Sequence, residues 1–70
     1  MFDYSKFRGL MAEKRATQKT LSTVLGISQN AVSHKMNGSS DFTPKEIVKL
    51  CDYFKIPNTQ VGVYFFTIKV

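Results

Sequence analysis

The sequence predicts an all-α domain: a compact bundle of four to five helices followed by a short extended apolar tail. Three observations predict it. Apolar residues recur at three- and four-residue spacings through most of the chain, as Tyr4, Phe7, Leu10 and Met11 do first. Residues able to cap a helix, Asp3, Thr17, Ser28 and Thr43, stand ahead of each such stretch. Gly26 and the pair Asn37-Gly38 then punctuate the stretches where a helix must stop. Seventy residues, 43% of them hydrophobic, suffice for one small domain with a modest core.

Asp3 is the expected cap of a first helix that runs to about Arg15, with Phe2 and Phe7 at the spacing of a hydrophobic staple. Thr17 caps the second helix, in which Leu21, Val24 and Leu25 are apolar and Ser22 is small. Gly26 ends that helix at positive φ, and Ile27 returns to the core. Ser28 caps the third helix, with Ala31, Val32 and Met36 inward and Asn37-Gly38 as its stop. Ser39 to Phe42 is a loop. Thr43-Pro44-Lys45-Glu46 is the sharpest helix start: a cap, a proline at the first helical position, and a glutamate that closes a capping box. Ile47, Leu50, Cys51 and Phe54 share one face of this fourth helix, which makes Cys51 a small apolar side chain rather than a reactive thiol. Ile56-Pro57 ends it. Asn58 can cap one short turn through Val61. Residues 63 to 70 are rich in β-branched and aromatic types, which suits extended chain. There Phe65 and Phe66 point to opposite sides: both close the core, or one of them meets a second molecule.

Residues 18 to 37, QKTLSTVLGISQNAVSHKMN, carry the function. Two short helices meet at a glycine, and the second bears Gln29, Asn30, Ser33 and His34 on one side. This is a helix-turn-helix, whose second helix is shaped for the major groove of DNA. Charge agrees. Ten basic and five acidic residues give a net charge of +5. No Asp or Glu lies between Glu13 and Asp41, while Lys14, Arg15, Lys19 and Lys35 do, as a phosphate-facing surface requires.

The stretch QKTLSTVLGISQNAVSHKMNG resembles the motif of the Cro/repressor-type helix-turn-helix proteins, the XRE family. The glutamine opening the second helix, the small Ser22, the turn glycine Gly26, Ile27 and Val32 carry the likeness, which covers residues 5 to 57. Many members have a small aliphatic residue or an acid where this chain has Ser22 and Lys35, and a buried Ser22 hydroxyl needs a partner. The opening MFDYSKFRG and the close YFFTIKV are similar to very small regulators of temperate bacteriophages. The resemblance implies a lambda-repressor-like fold and a Cro-like repressor acting in a bacterial cytoplasm. It also implies an alternative: a modulator that disarms the paired lysogeny repressor by binding it.

If the third helix enters the groove, Gln29 and Asn30 are the best base readers, since a carboxamide pairs with adenine in a bidentate way. Ser33 and His34 follow one turn on. Gln18 and Lys19 begin the second helix, where free amides favour an anion. With Ser28, Lys35, Asn37, Ser39, Thr43 and Lys45 they form the expected phosphate contacts. The lysines are otherwise solvated charges, and Asn37 is otherwise a C-cap. Val63, Tyr64, Phe65 and Phe66 are the expected homodimer or partner contacts. The alternative, protein-binding reading uses exposed tail aromatics as its anchors. No catalytic site, cofactor or metal site is expected. His34 and Cys51 are single and lie on different helices, and no paired carboxylates, phosphate-loop glycines or metal-ligand spacing occur. No small-molecule substrate is expected. The apolar run Val63 to Phe66 is far too short to cross a bilayer. The unpaired Cys51 and the lack of a signal peptide point to the cytosol.

Overall fold

The computed structural model describes residues 2–68. The fold is all-α, with α1 Ser5–Glu13, α2 Gln18–Leu25, α3 Gln29–Met36, α4 Pro44–Phe54, a 3-10 turn Asn58–Gln60 and α5 Val61–Phe65. Among the described residues the extended pairing is one isolated antiparallel bridge, Phe2 to Ile68. The molecule measures 26 × 25 × 22 Å. α2 packs on both α3 and α4, and α1 packs on α5.

The core forms where the helical spacing puts it. Tyr4, Phe7, Met11, Leu21, Leu25, Val32, Met36, Ile47, Leu50 and Phe54 are buried, and Phe7, Leu21, Val32 and Leu50 are fully enclosed. Phe7 is the hub. Its ring centroid lies 4.8 Å from Phe65, 5.5 Å from Phe54 and 6.3 Å from Phe42, distances at which aromatic edges and faces attract beyond simple burial. Phe42 lies in the loop before α4, yet it is buried against Tyr4, Phe7 and Phe65. It pins that loop to the core.

Three local expectations are corrected. Helix α1 starts at Ser5 and ends at Glu13, short of Arg15; Tyr4 is its boundary residue, and Asp3 takes hydrogen bonds from the Ser5 N–H at 2.9 Å and from its hydroxyl. The carboxylate still meets the helix start, one position further out. The ring partner of Phe2 is Phe66, at 5.5 Å edge to face, while Phe7 goes to the core centre. The edge-to-face contact with Phe66 on the returning tail takes the place of the staple.

The tail is the larger correction. Its composition predicts extended chain, but residues 61–65 are helical and only Phe66 to Ile68 runs alongside Phe2 and Asp3, with the Asp3 N–H donating to the Thr67 carbonyl at 2.6 Å. Lys69 and Val70 lie outside the described residues. Strand propensity is weak beside packing: a helix puts Val61, Tyr64 and Phe65 on one face, and Phe65 then fills the gap between Phe7 and Phe42. Asn58 opens a 3-10 turn with no side-chain cap, and Val61 begins α5 instead of ending that turn.

Candidate nucleic-acid interface

The α2–turn–α3 unit is built by local hydrogen bonds. The Thr17 hydroxyl accepts from the Thr20 N–H at 3.3 Å, and Thr20 Oγ1 accepts from the Thr17 N–H at 3.0 Å. Threonine thus closes a reciprocal box that glutamate usually closes. Gly26 sits at φ 68°, and the N–H groups of Gly26 and Ile27 both reach the Ser22 carbonyl, at 2.9 and 3.2 Å. A side chain at Gly26 would meet no neighbour, so the backbone angle alone calls for glycine there. The Ser22 hydroxyl donates to the Ile27 carbonyl. This half-buried hydroxyl therefore has its partner, and that bond ties α2 across the turn. The Ser28 hydroxyl accepts from the Ala31 N–H at 3.1 Å and starts α3.

Val32 and Met36 are buried on the inner side of α3. Gln29, Asn30 and His34 are exposed on the outer side, and Ser33 is half-buried between the two. The four sequence-predicted base readers thus share a helix face, with three open to solvent and Ser33 set back. Past the end of α3, Gly38 turns at φ 84° and the Ser39 N–H returns to the His34 carbonyl at 2.9 Å. Asn37 has helical φ and ψ and acts as the C-cap, leaving its side chain exposed. From α1, the Arg8 guanidinium donates to the Met36 carbonyl at 2.6 Å. No sequence pattern announces this long-range strut, which fixes the end of α3 against the bundle.

Gln18, Lys19, Ser28, Asn37, Ser39, Thr43 and Lys45 are all exposed. They cluster at the starts of α2, α3 and α4 and in the loop after α3. The Ser28 hydroxyl accepts the Ala31 N–H and keeps its hydrogen free to donate outward, whereas the Thr43 hydroxyl accepts the Glu46 N–H and gives its hydrogen to the Glu46 carboxylate. Lys35 stands apart from its expected role. Its ammonium lies 3.0 Å from Glu46 Oε1 and donates to the Asp41 carbonyl at 3.1 Å, with the Lys35 and Glu46 side chains largely covered. The charge expected at the phosphates is used inside the protein, joining α3 to the start of α4.

Glu46 is the centre of that junction. Besides Lys35, it accepts the Thr43 N–H at 2.8 Å. Burial pushes its carboxyl up, but the Thr43 hydrogen bonds and the bond to and charge of Lys35 outweigh this, and the net shift is downward. A lowered carboxyl stabilises the fold fully above the ordinary carboxylate range and loses that contribution as pH falls through its lower folded-state value. Acid melts followed by circular dichroism should therefore show a loss of stability below the ordinary range that is diminished in Glu46→Gln. Glutamine still closes the capping box.

The tail residues divide. Phe65 is 1% exposed and belongs to the core, so it offers nothing to a partner. Val63 and Tyr64 are half-buried. Phe66 remains, 49% exposed, and Ile68, which sequence reasoning does not single out, is 63% exposed beside it. Cys51 is half-buried rather than enclosed; burial and the charge of Asp52 push its thiol up, which keeps it protonated. Among the described residues no three His, Cys, Asp or Glu side chains gather as a metal site, and no helix is long and apolar enough to cross a membrane.

Fold and surface together define a class: a small basic all-α protein in which two short helices, α2 and α3, meet at a glycine turn. The chain belongs to the family described as "Protein of unknown function (DUF739)", which it matches over residues 1–68. No curated protein matches it.

Proposed function

We propose that this protein is a sequence-specific DNA-binding regulator, a Cro-like repressor of a phage lysis/lysogeny switch, with α3 in the major groove of its operator. The observation that carries the reading is the two-sided character of α3. Val32 and Met36 anchor one side, while Gln29, Asn30 and His34 stand free on the other. A rigid helix with exposed carboxamides at its N-terminal end is what direct readout of an A·T pair requires. The charge of +5 and the donors at the starts of three helices supply the sequence-independent part of the affinity. The reading assigns no catalytic role, cofactor or small-molecule substrate.

One reading helix covers few base pairs, so tight binding calls for two copies on half-sites about 34 Å apart. Phe66 and Ile68 supply apolar surface for that pairing. The same two side chains favour the second reading, in which the protein acts as a modulator of repression by gripping the paired repressor. Transcription from a reporter carrying the flanking intergenic region separates the two. Repression by this protein alone supports the Cro-like reading; derepression that occurs only with the paired repressor supports the second.

Salt titration tests the revised role of Lys35. A lost phosphate contact lowers the slope of log K against log salt by about 0.9. For Lys35→Met the slope should stay unchanged even if affinity falls, because its ammonium is already paired. For Lys19→Met, at the open start of α2, the slope should drop by that amount.

A further inference from the structure

The side of the molecule where α2 meets the C-terminal half of α4 carries an aromatic residue that neither folding nor the proposed DNA contacts use. Tyr53 is 53% exposed, and its ring is steadied edge to face by Phe54 at 5.0 Å. Two open clefts meet at it. The first, about 360 Å³, runs along α2 past Lys19, Thr20, Thr23 and Val24. The second, about 320 Å³, passes Lys14, Phe54 and Lys55. Among the described residues lining the two clefts, three are lysines and none is acidic. Asp52, next in sequence to Tyr53, lines neither.

We infer that this surface docks an acidic protein segment that presents an apolar side chain to the groove between Val24 and Tyr53, with its carboxylates held by Lys14, Lys19 and Lys55. Charge complementarity selects the sign of the partner. The apolar lining selects its class: a phosphate backbone would satisfy the lysines but leave Val24 and the Tyr53 ring facing charge, whereas an apolar side chain covers both. A rigid, exposed tyrosine ringed by like charges is also the kind of residue that dominates protein–protein binding energy. Lys45, at the DNA-facing start of α4, and Tyr53 are separated by roughly 12 Å of helix rise, so the inference stands whether or not α3 reads DNA. Lys19 belongs to both surfaces, which makes an acidic segment and DNA competitors for one cation.

The test is a titration of the isotope-labelled protein, followed by amide NMR shifts, with three short peptide probes and a DNA duplex. One peptide alternates Glu with Leu and Phe, one replaces each Glu by Lys, and one keeps the Glu and replaces Leu and Phe by Ser. The expected result is saturable shifts centred on Thr20, Val24, Tyr53 and Lys55 with the first peptide alone, weakened about tenfold or more in Tyr53→Ala and also in the exposed charge reversal Lys55→Glu, which tests the site without touching the ring. No shift at these residues, equal response to all three peptides, or stronger shifts there with duplex than with the first peptide would overturn the inference, the last in favour of a nucleic-acid surface.

Discussion

Replacing Phe65 by alanine is expected to cost about 3–5 kcal/mol of folding stability, the range for emptying a buried aromatic site. The residue is 1% exposed, and its ring lies 4.8 Å from Phe7 and 6.1 Å from Phe42. It therefore closes contacts among α1, α5 and the loop before α4 at once. Small domains hold only about 5–15 kcal/mol in total, and each kcal/mol moves the melting point of a chain this size by roughly 4–8 °C. A thermal melt should fall by about 15 °C or more, or the variant should be largely unfolded at room temperature. The adjacent Phe66→Ala is the control. Its ring is 49% exposed against Phe2, so its cost should stay near about 1 kcal/mol, of the order of one aromatic pair. Comparable losses in the two variants would mean that the tail does not enter the core as a helix.

The second large effect is on recognition. Replacing Gln29 and Asn30 together by alanine should remove two bidentate-capable side chains, each contributing roughly 1–3 kcal/mol of discrimination. Preference for the native operator over scrambled duplex should fall by about thirtyfold or more, while residual salt-dependent binding to any duplex persists. Both side chains are exposed and neither caps a helix, so the melting temperature should hold. Competition binding with the two duplexes measures the ratio; an unchanged ratio would remove α3 as the reading element.

Most of the scaffold beneath that surface is legible in the chain because its signals are local. Thr17, Ser28 and Thr43 each cap a helix through the hydroxyl, Pro44 and Glu46 complete the start of α4, and Gly26 takes the left-handed turn between α2 and α3. Features that depend on residues far apart in sequence are not legible. Lys35 meets Glu46, and Arg8 meets the Met36 carbonyl, only after the helices have packed. Phe42 reads as loop because no periodicity surrounds it, yet the core captures it. In the tail, residue type misleads where spacing does not. Val61, Tyr64 and Phe65 stand three and four residues apart, a one-faced helical pattern, but β-branched and aromatic composition points to a strand. The surface itself is partly legible: exposure of Gln29, Asn30 and His34 follows from the phase of α3 set by Val32 and Met36. The withdrawal of Lys35 from it requires the fold.

The most direct measurement is fluorescence anisotropy at physiological salt, with the purified protein titrated into labelled duplex from its own flanking intergenic region and into a scrambled duplex. Saturable binding that prefers the native duplex by roughly a thousandfold or more is the predicted result. Weak binding, equal on both duplexes, would contradict a sequence-reading role for α3.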